Sequence, residues 1–451
     1  MSENVNYKTA FVIVELAPAH ETRGHSGTGG SRNHSAKSKQ HAKAAVDRAS
    51  AQIRESPMQK REVVVVSGVR TAIGSYGGSL KTQKPGDLAG MLVAEAVKRA
   101  GIAAESVGQT VFGNVIHSEP ADMYLGRVAA LNGGLSETAP ALTVNRLCGS
   151  GLQAVLTAAQ QIELGICDTV VAGGAESMSL APYHIPTARF GQRMGDGALI
   201  DPMVAALHCP FNHIHMGVTA ENVAEKYGIT REQQDELAAQ SHNRAQNAIE
   251  NGYFKEQIVP VELKSRKGVT LFDTDEHVRY DCTPADMAKL KPVFKKDGTV
   301  TAGNASGLND AAAALVMMDR EEAEAQGVQA MARLVDYSVV GVDPKIMGIG
   351  PVPAIQEILE RNELSVNDID VYEVNEAFAA QALAVAQQLD LPRDRVNPNG
   401  SGISLGHPIG ATGAVVTVKA LHELNRVNGR YAIVSLCIGG GQGIAALFER
   451  V

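Results

Sequence analysis

The chain has 451 residues, 44% of them hydrophobic and 20% charged, enough to bury a large core divided between two or three domains. Its 41 basic and 49 acidic residues leave a net charge of -8, which offers no general attraction for nucleic acid or an anionic membrane, so an anionic ligand must be held by local groups. No apolar run reaches the roughly 18 residues of a membrane span. Phe11 to Ala17 is too short for a secretory leader and is interrupted by Glu15. Five scattered cysteines do not form the pattern of a disulfide framework, and a cytoplasmic protein is expected.

Residues 1–57 are rich in Gly, Ser, His, Lys and Arg, with eight basic and five acidic side chains. Such a segment buries too little apolar surface to offset its ordering entropy, and a disordered extension is expected. A mitochondrial presequence is the alternative, weakened by Glu3, Glu15 and Glu21, and a natural start at Met58 is a third reading.

From Arg61 onward, apolar runs with strand character, such as Val63 to Ser67 and Thr169 to Gly173, alternate with helical patterns such as Leu152, Val155, Leu156 and Ala159. This alternation predicts an α/β fold on mostly parallel strands. Between about 178 and 307 the rhythm breaks at Pro182, Pro186, Pro202 and Pro210, and an inserted loop domain is expected there. A weak repeat links two stretches. Cys148-Gly-Ser-Gly opens a helix followed by the strand from Thr169, and His407-Pro-Ile-Gly-Ala-Thr-Gly opens a helix followed by the strand from Tyr431. Two similar halves would bring both loops to one site.

Cys148 ends the run Asn145-Arg-Leu-Cys and stands at a helix start, where the positive end of the helix should lower the thiol pKa toward neutrality. Alone, a cysteine before a helix is more often a small buried residue than a nucleophile. His407, in a glycine-rich turn, offers an imidazole to deprotonate it. Cys437-Ile-Gly-Gly-Gly-Gln-Gly443 resembles a phosphate-cradling loop, yet too little chain follows it for the rest of a dinucleotide site. A tight turn that exposes a thiol and leaves N–H groups for an oxyanion fits better. Cys209 with His208, His213 and His215 matches none of the usual zinc spacings, so no metal is expected.

Taken together, Asn145 to Gly151, Asn375-Glu-Ala-Phe378, Gly406-His-Pro408 and Cys437 to Gly443 resemble the thiolase family, over essentially all of Arg61 to Val451. The wording is most similar to bacterial acetyl-CoA acetyltransferases, including broad-specificity β-ketothiolases that supply polyhydroxyalkanoate synthesis. The resemblance implies two similar α/β halves in a layered αβαβα arrangement, an N-terminal domain over 58–325 that carries the loop domain, and a C-terminal domain over 326–451. It implies Cys148 as the acylated nucleophile, His407 as its base and Cys437 as the acid/base at the substrate α-carbon. Asn375 would hold a water that forms one oxyanion site with His407, and the N–H groups of Cys148 and Gly439 would form the other. CoA contacts are implied for His215, Met216, Arg279, Phe294, Ala302, Ser306 and Phe378, with Met123, Leu207 and Met347 as candidates for the acyl pocket. Acetyl-CoA, 3-ketoacyl-CoA and CoA would be the substrates and products, with no separate cofactor, in a homotetramer.

Thr412 stands where Ser is common in the family, Val415 where Arg is frequent and Ala175 where Met is usual, which leaves substrate range and local packing open. A decarboxylating ketosynthase would need His or Asn in place of Cys437. A non-catalytic thiolase-like carrier of CoA or lipid would be expected to lack part of the quartet Cys148, Asn375, His407 and Cys437, all of which are present.

Overall fold

Apolar runs bounded by glycine, proline or a helix cap set the strands of this chain. The computed structural model describes residues 61–451, so the extension expected over 1–57 lies outside the described residues. The strands are β1 (Val63–Arg70), β2 (Gly74–Ser75), β3 (Gln109–Gly113), β4 (Ala141–Val144), β5 (Thr169–Ser177), β6 (Val261–Ser265), β7 (Gly268–Phe272), β8 (Asn309–Asp319), β9 (Ala332–Gly341), β10 (Val371–Val374), β11 (Tyr431–Ile438) and β12 (Gln442–Arg450). Every residue of β1, β5 and β8 is buried. These strands are covered on both faces and so lack a polar alternation.

The main sheet runs β10-β11-β12-β9-β1-β8-β5-β3-β4, with β2 beside β8. It is mixed, and the expected parallel majority is not found. Parallel pairing is confined to β3 with β4, β3 with β5, and β10 with β11. Two connections cause the difference. After β5 the chain makes a long excursion and returns as β8, antiparallel to both β5 and β1. After β11 it turns straight back into β12 through a hairpin, with no crossover helix to keep the direction.

The repeat seen in the sequence is a structural repeat. In the first half the order is β4-β3-β5-β8-β1; in the second, an isolated bridge at Val396 takes the place of β4, followed by β10-β11-β12-β9. Within the described sheet, the strands of the two halves pair through Val64 and Val65 of β1, opposite Arg333 and Ala332 of β9. Helix Pro85–Ala100 packs on the first half-sheet and helix Pro351–Arg361 on the second. Helices Ser150–Glu163 and Thr412–Arg426 touch each other and strands of both halves, so they form the middle of five layers.

That central position explains their composition. Along Thr412–Arg426 nearly all side chains up to Leu424 are buried, as expected for a helix enclosed on several sides. The two helices start against one another at glycines. A Cβ on Gly151 would lie 2.5 Å from the backbone nitrogen of Ala414, and one on Gly413 would strike the backbone nitrogen of Leu152. Only glycine permits this approach. Cys148 and His407 lie just upstream of these two helix starts.

The excursion between β5 and β8 carries helices Met216–Tyr227 and Arg231–Glu250 and the hairpin β6–β7. Helix Arg231–Glu250 begins with a capping box between Thr230 and Gln233 and packs on helices Ala379–Leu389 and Gly402–Leu405. Among the described residues no helix is long and apolar enough to cross a membrane.

Candidate active site

The loop before helix Ser150–Glu163 is fixed by its own side chains. Asn145 Oδ1 accepts from the Leu147 N–H at 2.9 Å, and Ser150 Oγ accepts from the Arg146 N–H at 2.8 Å while donating to the Leu147 carbonyl at 2.7 Å. The Arg146 guanidinium reaches Gln153 on the helix and Gln442 on β12, both at 2.8 Å. Leu147 is held at φ 46, left-handed backbone that costs a side-chain-bearing residue about 1–2 kcal/mol. The strain sits directly beside the half-buried Cys148.

Burial pushes the Cys148 thiol up to about 11. The backbone N–H groups of Gly439 and of Cys148 itself pull the other way, and the charge of Glu176 adds to the rise. The sequence led us to expect a thiol near neutrality. Here desolvation outweighs the helix end, and the neutral thiol is the resting form.

His407 lies between the short helix Gly402–Leu405 and helix Thr412–Arg426 and is 6% exposed. Its backbone N–H donates to Asn309 Oδ1 at 2.9 Å. Nδ1 meets Thr412 Oγ1 at 2.7 Å and Asn375 Nδ2 at 3.4 Å, whereas Nε2 is buried without a partner among the described residues. Burial pushes the imidazole down to about 4, so it is neutral at physiological pH.

Cys437 is 1% exposed near the end of β11, opposite Gly443 of β12. Its thiol is raised well above the usual range, first by burial and then by Cys148, which places the two sulfurs within electrostatic reach. The strands are joined by Gly439, Gly440 and Gly441, the last two at φ 86 and 85, a turn that side-chain-bearing residues rarely adopt. This turn aims the Gly439 N–H at the Cys148 sulfur. Asn375 follows β10, where its N–H donates to the Ser435 carbonyl at 2.9 Å.

The duplication reveals a residue that motif reading missed. The last parallel pairs are Gly113 with Gly174 and Val374 with Ser435; an asparagine follows each strand nearer the sheet edge, Asn114 after β3 and Asn375 after β10. Two residues beyond each inner partner, on β5 and β11, stand Glu176 and Cys437. Glu176 is fully buried and accepts from the N–H groups of Val115 (3.1 Å), Ile116 (3.1 Å) and Gly410 (2.9 Å) and from Asn114 Nδ2 (3.2 Å). It thereby clasps the His407 loop to the first half. A carboxylate inside the apolar run of β5 was the available signal, since such a group is not buried without several donors.

Most of the expected CoA-contact residues converge. His215 caps helix Met216–Tyr227, accepting from the Gly217 N–H at 3.0 Å, and stacks on Phe294 with centroids 4.7 Å apart. Phe294 stands edge-on to Phe378 at 6.3 Å. Met216, Met347, Phe378 and Cys437 share one apolar cluster. The Ser306 N–H donates to the Ala377 carbonyl at 3.0 Å, next to Phe378. Arg279 and Ala302 are exposed and outside this cluster; the backbone of Arg279 is anchored on His242 Nδ1 at 3.1 Å. Leu207 is half-buried, and its carbonyl accepts from the Met216 N–H at 2.8 Å. Met123 is 65% exposed. His208 packs edge-on to His215 at 5.0 Å and Cys209 is buried in the Cys437 cluster, so these two fill space around the cleft.

A half-buried thiol acted on by a backbone N–H, together with a neutral imidazole whose Nε2 has no partner among the described residues and whose loop is clasped to the same half of the molecule, is the equipment of an acyltransferase that works through a thioester. Comparison with known proteins carries this further. Residues 63–321 match the thiolase N-terminal domain and residues 328–450 the thiolase C-terminal domain. The chain is 68% identical to the β-ketothiolase BktB of Cupriavidus necator, over 87% of this chain and 100% of that one. It is 48% identical to the acetyl-CoA acetyltransferase of Escherichia coli, over 87% and 100%. Among solved structures, the acetyl-CoA acetyltransferase of Bacillus anthracis superposes with a TM-score of 0.85 at 50% identity, covering 87% and 99%. Human mitochondrial 3-ketoacyl-CoA thiolase in complex with CoA superposes at 0.84 and 44%, covering 87% and 98%. The chain belongs to the thiolase family. It is an acyltransferase that uses CoA thioesters.

Proposed function

We propose that this enzyme condenses acetyl-CoA with a short acyl-CoA, or cleaves the 3-ketoacyl-CoA product, through an acyl thioester on Cys148. The observation that carries this reading is that the Gly439 N–H acts on the Cys148 thiol and lowers its pKa, while Cys148 in turn raises the thiol of Cys437, so that two thiols and a backbone donor share one centre. His407 takes the Cys148 proton as sulfur attacks the thioester carbonyl, and the collapsing intermediate expels CoA. Because the thiol rests near 11 and the imidazole near 4, a free thiolate does not accumulate, and proton transfer accompanies attack. The departing CoA thiolate takes the Cys437 proton and leaves as the thiol. The Cys437 thiolate then removes the α-proton of acetyl-CoA, the carbanion attacks the acyl carbonyl, and the C–S bond breaks to release Cys148, which recovers its proton from His407. Two thiols are needed because the first is occupied when the second proton leaves.

The N–H groups of Cys148 and Gly439 serve one oxyanion, and Asn375, through a water, serves the other with protonated His407. His215, Met216, Phe294, Ala302, Ser306 and Phe378 hold pantetheine, and Arg279 reaches the nucleotide end of CoA. The apolar group around Cys148, including Ile116, Met178, Met203 and Ile409, receives the acyl tail. Residues 58–325 and 326–451 act as the two domains that close on this centre. A cytoplasmic homotetramer completes the reading; the exposed apolar side chains Phe190, Met194 and Leu199 on one segment support association between subunits.

The test is incubation with radiolabelled acetyl-CoA and isolation of labelled protein. Label should be retained on Cys148 in the wild type and absent in Cys148→Ala, with thiolysis of acetoacetyl-CoA abolished. Undiminished turnover by Cys148→Ala would overturn the mechanism.

A further inference from the structure

We infer that Thr412 is a positioning residue that holds His407 in the tautomer protonated at Nδ1, leaving Nε2 as the lone pair that receives the Cys148 proton. The inference rests on the reading of His407 as base. Thr412 Oγ1 is 2.7 Å from His407 Nδ1 and 2.8 Å from the Pro408 carbonyl, and the side chain is buried. A hydroxyl has one hydrogen. If that hydrogen pointed at Nδ1, the Thr412 and Pro408 oxygens would face each other at 2.8 Å with no proton between them, a repulsive contact away from water. If it points at the carbonyl, both short contacts are hydrogen bonds, and Nδ1 must be the donor to Oγ1.

Other features agree. The Oγ1 bond to a carbonyl four residues back is an ordinary threonine conformation at a helix start, and the β-branch restricts rotation away from it. Nε2 is then an acceptor without a partner among the described residues, as a base must be before substrate binds. The inference also bears on the neighbouring amide. Asn375 places an amide atom 3.4 Å from Nδ1 and leaves its other amide atom buried and unpartnered. The Asn375 Nδ2 now on the histidine side would face a protonated Nδ1 donor to donor, so the inference carries the corollary that the amide is turned with its oxygen toward the ring and its NH2 free beside the site.

The experiment is 15N NMR of histidine-labelled enzyme, with the His407 signals assigned by their loss in His407→Gln. Wild type and Thr412→Ser should show protonated Nδ1 and bare Nε2. Thr412→Val, which keeps the shape but not the hydroxyl, should lose that signature, and its kcat should fall about 100-fold or more with little change in KM. Thr412→Ser should stay within about threefold of wild type. A proton on Nε2 in wild type, or an unchanged His407 tautomer in Thr412→Val, would overturn the inference. Undiminished thiolysis by His407→Gln would instead overturn His407 as base, whatever the spectrum shows.

Discussion

The two halves carry the same strand order and the same helix-opening loops, yet they deliver different chemistry. In the first half the loop ahead of the central helix presents a thiol, and the strand behind it carries Glu176 one residue from its end, its carboxyl group engaged with three backbone N–H groups and the Asn114 amide. In the second half the corresponding loop presents an imidazole, and the corresponding strand position is Cys437, held in an apolar cluster. The duplication supplies positions. What a position does depends on whether its side chain is satisfied internally, as Glu176 is, or left with unused reactivity, as Cys437 is.

Substitutions at these paired positions should separate the two roles. The largest effect is expected for Cys437→Ser: condensation should fall about 10³-fold or more, while the acyl-enzyme still forms from labelled acetyl-CoA. Condensation at the wild-type rate would move the α-carbon base elsewhere. Gly413→Ala places a methyl against the backbone of Leu152, and the helices must part. A loss of about 3 kcal/mol is expected in urea unfolding, and the same substitution at an exposed glycine such as Gly341, which has open space around it, should cost far less.

A smaller change is expected from Glu176→Gln. Its amide oxygen still accepts, but its NH2 faces N–H donors, so kcat should drop about 10-fold as the His407 loop loosens, with amide exchange at Gly410 speeding up in parallel. Unchanged exchange at Gly410 would show that the clasp is not what holds the loop. The subtlest effect is in pH dependence. A base pushed down to about 4 stays neutral above that value and is lost only as pH falls through it, so the acid limb of kcat/KM should lie near 4. A limb near 6.5 would indicate a well-solvated imidazole in the free enzyme.

The site was legible in the sequence because the reactive residues sit in short glycine-bearing motifs, and the repeat was legible because both motifs open a helix that leads to a strand. Sheet direction was not. Antiparallel β8 depends on where a long excursion returns, and β12 on the hairpin at Gly440 and Gly441, whereas local periodicity is the same for either direction. The Cys148 thiol illustrates a second limit. Its place at a helix start could be read from the sequence, but the burial that reverses the expected shift comes from residues distant in the chain, among them Ile409. Glu176 escaped attention for the same reason, because most of its partners are backbone N–H groups that carry no signature in the sequence, and Thr412 was noted only as a replacement for Ser, its contact with His407 being invisible before folding.

The glycine contact between the central helices also bears on the order in which the protein is made. Strand β1 finds its partner β8 only after residues up to Asp319 have been synthesised, and helix Ser150–Glu163 meets Thr412–Arg426 only near the end of translation. Until then Cys148 has neither the Gly439 N–H nor its imidazole, and its burial is incomplete. On the proposed mechanism a nascent chain therefore carries an ordinary cysteine, and reactivity toward CoA thioesters should arise only when the second half closes over the first.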